Sequence, residues 1–185
     1  MYTASSRTNV LKITYAGLLI AIGIMIPMFS PLRIFIPPAS FTFGSHAAIF
    51  IAMFISPGVT IAVTIGTTIG FWLGGFPDII VLRAASHIIF AVLGSYYLKT
   101  IEKNAFGGVH MRIFSFVINL IHGLAELIAV LAFNNIVFEI PLVSYTIWPV
   151  VWLVGIGTVI HGFVDMEIAF SIRRALRMAN HFRDF

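Results

Sequence analysis

The sequence predicts an all-α membrane protein, a bundle of six transmembrane helices with both termini in the cytoplasm and an apolar first external loop. Three observations carry that expectation. Of 185 residues, 59% are hydrophobic and only 10% are charged, against roughly 45–50% and about 25% in soluble domains. The mean hydropathy is +1.03. Six apolar runs can be drawn across a hydrocarbon core of about 30 Å, and the basic residues fall on one side of them. The formal net charge of +4 does not read as a nucleic-acid surface, because the charges are sparse and flank apolar runs. Cysteine is absent, which excludes disulfides and thiolate metal sites.

Met1 to Val10 is polar and is followed by an apolar run without an A-x-A-like cleavage site, so it reads as a cytoplasmic lead-in. The first span covers Lys12 to Phe29, and Pro31 sets its end. The second, Ser45 to Ile55, is short and is closed by Ser56-Pro57-Gly58. The third, Val59 to Leu73, is ended by Gly74-Gly75. These two are the weakest as single crossings and read as one tight hairpin. Spans four to six are Asp78 to Leu98, Arg112 to Phe133 and Ile147 to Ile172. The loop Ser30 to Gly44 (SPLRIFIPPASFTFG) is apolar and aromatic, and Pro31, Pro37 and Pro38 bar a continuous helix. It is expected to fold back over the outer face, as an interfacial connection or as a lid. No repeat or boundary divides the chain, so residues 1–185 form one integral membrane substrate-binding domain.

Charge provides an independent check. Arg7, Lys12, Lys99, Lys103, Arg112, Arg173, Arg174, Arg177 and Arg183 all fall in internal segments, nine of the eleven basic residues. Only Arg33 falls outside, and Arg83 lies within span four. Six crossings with both termini inside satisfy the positive-inside rule, whereas an odd number would put the Arg-rich tail on the wrong side.

Ionisable groups inside a bilayer cost at least about 2.5–3.5 kcal/mol each on insertion scales, so each needs a reason. Arg83 lies roughly 8 Å below the outer end of span four at 1.5 Å per residue, and His87 is one turn deeper. His46 opens span two. His122 reaches mid-membrane on span five, with Glu126 in its outer half and Asn134 and Asn135 just beyond. Trp148 and Trp152 share one face of span six. The convergence suits a small polar ligand arriving from outside. Arg83 can fork onto a carboxylate, His87 and His46 can hydrogen-bond a ring nitrogen or hydroxyl, and the tryptophans can stack. Asn134 and Asn135 can bond amides or hydroxyls. Phe43, at the end of the loop, and Glu126 complete the candidate set. The competing reading of Arg83 is a structural ion pair with Glu126, and that of each Trp is the interfacial belt.

Other features have plainer readings. His122 with Glu126 and His161 with Asp165 are i,i+4 pairs, but two ligands are too few for a metal and H-E-x-x-H is absent, so no metal or cofactor is expected. His161 and Asp165 are expected near the inner end of span six, away from the outer cluster. Gly66, Gly70 and Gly74 allow close helix packing. Arg173, Arg174 and Arg177 anchor the inner end at anionic headgroups. Neither a phosphate-binding G-x-x-x-x-G-K-[ST] loop nor a G-x-S-x-G elbow is present, which argues against ATP hydrolysis and acyl chemistry by those routes and against an enzyme.

The stretches IPPASFTFGSHAAIFIAMFISP and TIGFWLGGFPDIIVLRAASHIIFAVLGSYYLK, with the length and topology, resemble the substrate-binding S components of energy-coupling factor (ECF) vitamin importers, the niacin and pantothenate members most. The resemblance implies a bacterial plasma-membrane subunit that captures a vitamin at its outer side. It would then dock on an energising module of one transmembrane coupling subunit and two ATPases. It also implies that the Ser30–Gly44 loop gates the pocket. Gly17 and Ala21 stand nearest to the family's A-x-x-x-A docking pattern on span one, with glycine in place of the first alanine. Nicotinate would use Arg83, a histidine and a tryptophan, whereas pantothenate would better use Asn134 and Asn135. Two other classes remain, a self-sufficient channel or facilitator and an intramembrane metalloenzyme built on His122, Glu126, His46 and His87.

Overall fold

The computed structural model describes residues 4–36, 39–101, 108–140 and 147–178. Pro37, Pro38, Lys103 and Arg183, which entered the sequence argument, lie outside the described residues, as does the side chain of Arg177. Helix α1 is Ala4–Phe29, and a two-stranded hairpin follows, β1 (Arg33–Ile36) and β2 (Ala39–Thr42). Helices α2 (Ala47–Ile55), α3 (Pro57–Leu73), α4 (Asp78–Thr100) and α5 (Gly108–Phe138) come next. The sixth helical stretch begins as α6 (Ile147–Val150), passes through a π-helical segment (Val151–Ile156) and continues as α7 (Gly157–Met178).

Among the described residues, four stretches are long and apolar enough to cross a membrane: Arg7–Phe29, Asp78–Thr100, Gly108–Phe138 and Ile147–Leu176. Helix α3 is shorter, at 17 residues, and α2 has only nine, so α2 is about 14 Å long at 1.5 Å per residue. Ser56 links them in extended conformation, with Pro57 opening α3. The Ser56 hydroxyl accepts from the Val59 amide at 3.3 Å, so one residue both ends α2 and caps α3.

The burial pattern is that of a bundle built for an apolar surrounding. Along α5, Ile113, Phe116, Leu120, Leu124 and Ile128 are exposed, while Ser115, Asn119, His122 and Glu126 are buried. Both series advance by three or four residues, so the helix presents an apolar stripe outward and a polar stripe inward. In water that arrangement would be inverted, whereas in lipid it satisfies both faces. The apolar core proper holds Phe50, Met53, Phe90 and Met166, all at most 2% exposed.

Helix α1 lies against α3 through small residues, as the glycine spacing predicts. A Cβ on Gly66 would meet Ile20 at 2.7 Å, and one on Gly70 would collide with Ile24. Gly74 instead closes α3, its amide donating to the Gly70 carbonyl at 2.9 Å. The expected fold-back of the first loop takes the form of the hairpin, with Arg33 paired to Thr42 and Ile36 to Ala39. Ala39 is fully buried against Val130, Val150 and Val154, which seats the hairpin on one end of the bundle, hereafter the hairpin end.

Candidate functional site

Beneath the hairpin, the helices bring two buried carboxylates and four histidines together. Glu126 on α5 is 1% exposed and His122, one turn earlier, is 0%. Glu126 Oε2 accepts from Arg83 Nε at 3.0 Å and Nη2 at 2.8 Å, and from the Thr158 hydroxyl of α7 at 2.7 Å. Its other oxygen, Oε1, accepts from His87 Nε2 at 2.8 Å and lies 3.3 Å from His122 Nε2. One carboxylate thus joins α4, α5 and α7. Such a carboxylate is tolerated inside the bundle because every lone pair meets a donor.

Asp165 on α7 holds the second centre. Its Oδ1 accepts from the Gly44 amide at 2.7 Å, and Oδ2 from the His46 amide at 2.9 Å and His46 Nδ1 at 3.0 Å. Those amides lie at the start of α2, where a helix leaves its first N–H groups unpaired. A carboxylate from a distant helix therefore caps α2, aided by the positive end of the helix dipole. Gly44 has φ +82°, a conformation that glycine adopts without cost and that turns its amide toward Asp165. His161 Nε2 lies 3.3 Å from Asp165 Oδ2 and 3.2 Å from the Ser45 hydroxyl.

The expectation that His161 and Asp165 lie apart from the outer cluster is corrected. Ring centroids of His46 and His161 are 5.1 Å apart, and His46 is 4.7 Å from His87 and 4.6 Å from His122. The reason is physical: the loop does not stop at the bundle surface but carries Gly44, Ser45 and His46 down to a carboxylate that needs donors. A count of residues along span six could not register that descent.

Of the other sequence candidates, Arg83 (8% exposed), His87 and His46 line the cavity. Phe43 packs its ring 6.2 Å from that of His161. Trp148 and Trp152 are 61% and 60% exposed, and the structure does not bring them to the cluster. Asn135 donates to the Ile140 carbonyl at 3.2 Å, beyond the end of α5. Asn134 borders a separate cavity of about 410 Å³ that also reaches Arg83. Gly17 and Ala21 are exposed on α1. Residues that sequence reasoning missed are Arg33, Thr42 and Ser45, which line the cavity beneath the hairpin, and Thr158. The only signal for the first three was the apolar loop itself.

The cavity beneath the hairpin, about 60 Å³, lies between the hairpin and helices α1 to α4, with Glu126 and His161 reaching it from α5 and α7. It is well below the roughly 300–1,000 Å³ of drug-sized pockets, so its contents are limited to a few waters or part of a small ligand unless the hairpin shifts. Among the described residues, two groups of side chains offer donor atoms within 4.8 Å of one another, His46 with His87, His122 and Glu126, and His46 with His161 and Asp165.

No family model matches the chain, and no solved structure matches it. A curated relative, the niacin transporter NiaX of Lactococcus lactis subsp. cremoris (strain MG1363), is 32% identical over 177 residues. The match covers 96% of this chain and 79% of the relative. At that identity over nearly the whole length, the chain is a membrane protein belonging to the family of that niacin transporter.

Proposed function

We propose that the chain is the substrate-binding S component of an ECF-type importer for a small carboxylate vitamin, with nicotinate first among candidates. The observation that carries this reading is the cavity under the hairpin, where two arginines and three histidines, with Glu126, line a space that apolar side chains also wall. A monocarboxylate with a ring nitrogen matches those donors, and the niacin transporter relative supports the same ligand. The separate cavity that joins Arg83 to Asn134 favours pantothenate as the second reading, since a longer amide-bearing acid would use both. A self-sufficient facilitator is the more distant alternative, and it predicts flux through liposomes holding this chain alone.

In this reading the chain crosses the bacterial plasma membrane six times with both termini inside, α2 and α3 together forming the second and third crossings. Lys12 and Lys99 border one cleft with the Ser56–Gly58 turn, and Arg173 lies 4.5 Å from the Phe54 ring centroid. This basic end, opposite the hairpin, would face the cytoplasm. The chain is not an enzyme. It would dock on the coupling subunit and its two ATPases through the exposed Gly17 and Ala21 strip of α1, where close helix approach needs small residues. The hairpin, which supplies Arg33, Ser40 and Thr42 to the cavity, would be the gate.

Equilibrium binding of radiolabelled nicotinate to the purified chain tests this reading, with nicotinamide and pantothenate as competitors. Saturable binding of the acid, with the amide at least about tenfold weaker, is expected when a charge-assisted pair is lost. Arg83→Lys keeps the charge but removes the planar fork, and an affinity loss of about tenfold or more is expected. Equal affinity for acid and amide would sink the reading.

A further inference from the structure

We infer that His46, His87, His122 and Glu126 form a site for one divalent transition-metal ion of the zinc, cobalt or nickel class. One donor atom from each of the four lies within 4.8 Å of the others. Bonds of about 2.0–2.2 Å would set tetrahedral donors roughly 3.3–3.6 Å apart, so modest ring rotations close the site. Three imidazoles and one carboxylate oxygen suit a borderline metal better than calcium or magnesium, which prefer all-oxygen shells.

The partners of these four side chains are those of a supported metal site. His46 Nδ1 donates to Asp165 Oδ2 at 3.0 Å, which leaves Nε2 as its remaining donor in the carboxylate–histidine–metal arrangement. Glu126 Oε2 is occupied by Arg83 and Thr158, and this turns Oε1 toward His87 and His122.

A second observation concerns the far side of one ligand, His122. His122 Nδ1 and Asn119 Oδ1 are both buried and both lack a hydrogen-bond partner. They crowd the same spot beside Gly162, where a Cβ would lie 3.0 Å from His122 Nδ1 and collide with Asn119 Oδ1. With His122 Nε2 bonded to hydrogen, Nδ1 and the amide oxygen are two acceptors with no donor between them. With Nε2 bonded to metal, the proton moves to Nδ1, which then faces an acceptor that lacks one. The metal-bound tautomer thus replaces two neighbouring buried acceptors with a donor beside an acceptor.

Charge balance links the ion to the ligand, and this step rests on the carboxylate-vitamin reading. Among the buried groups, Arg33 being exposed, Arg83 offsets Glu126, and a divalent ion exceeds Asp165 by one positive charge. A monocarboxylate arriving through the adjoining cavity restores neutrality and offers an oxygen or a ring nitrogen to the metal.

The test uses the full chain in detergent, purified with a histidine-free tag, loaded with Zn²⁺ or Co²⁺ and cleared of free metal. About one ion per chain is expected by elemental analysis, together with the visible absorption bands of Co²⁺ bound by nitrogen and oxygen. His87→Ala and His122→Ala should each lower retention at least about tenfold, while His110→Ala, at an exposed site, should not. Should those variants fail to fold, the wild-type thermal transition carries the test, rising with Zn²⁺ and falling back with chelator. A wild-type chain that holds less than about a tenth of an ion, with no thermal response, overturns the inference. Nicotinate binding unchanged after chelation overturns the coupling of ion to ligand and leaves the vitamin reading standing. Stoichiometric metal without binding of any acid supports the metal site and sinks the vitamin reading.

Discussion

Glu126 and Asp165 are both buried carboxylates with histidine partners on the same side of the bundle, yet they are held in different ways. Glu126 is held only by side chains, from α4, α5 and α7. Asp165 is held largely by backbone amides of the segment that joins the hairpin to α2. The first centre therefore ties helices to one another and contains the arginine, while the second fastens the hairpin to the bundle. His46 belongs to both, since its Nδ1 bonds Asp165 and its ring packs between those of His87 and His122. A movement of the hairpin would thus be felt at Glu126 through one imidazole.

Substitutions can break this comparison, and the largest effect is expected at Glu126. Glu126→Gln leaves the Arg83 guanidinium buried without a counter-charge and should cost about 3–5 kcal/mol in thermal or denaturant unfolding. Arg83→Met combined with Glu126→Leu should recover most of that loss, because an apolar pair replaces the ion pair, while binding of nicotinate, the proposed ligand, should be lost. Recovery of both stability and binding would mean that the pair has no part in the ligand site.

A smaller effect is expected at Asp165. Asp165→Asn keeps one carbonyl for the Gly44 or His46 amide but turns an amino group toward the other, at a cost of about 1–3 kcal/mol. Amide exchange should rise in residues 39–47 and stay unchanged in α4 and α5, which distinguishes fastening of the hairpin from packing of the bundle. Uniform loss of protection would show that the two centres act as one unit.

The smallest effect belongs to Trp148 and Trp152. With both side chains directed outward, Trp148→Phe and Trp152→Phe should shift stability by no more than about 0.5 kcal/mol and leave ligand affinity unchanged. A loss of affinity in either variant would mean that α6 and the π-helical segment rearrange when ligand binds.

Much of this architecture could be read from residue order. The ends of α2, α3 and α4 follow from Ser56-Pro57-Gly58, Gly74-Gly75 and Asp78, because proline and glycine act on the backbone at their own positions. The inward stripe of α5 follows from the spacing of Asn119, His122 and Glu126, since a helix has a fixed period. Arg83 and Glu126 could be named as a pair because each is too costly in lipid to stand alone. Several boundaries differed. Helix α1 begins at Ala4, α5 runs from Gly108 to Phe138 and α7 reaches Met178, since helical hydrogen bonding continues past the apolar run into the polar flanks.

The sequence by itself determined that this is a membrane protein, where its helices turn and which polar residues needs must explain. Composition, backbone chemistry and the cost of charge in lipid all act locally, residue by residue. Only the tertiary structure decided that His161 and Asp165 join His46, His87, His122 and Glu126. Helices α4, α5 and α7 each offer two titratable groups at i,i+4, and no local rule says which pairs will face each other. That depends on how far the hairpin descends and on how closely α5 approaches α7 at Gly162, contacts set by side chains about 40 or more positions apart. Helical period fixes the face a residue occupies, whereas the depth and rotation of neighbouring helices are settled by packing alone.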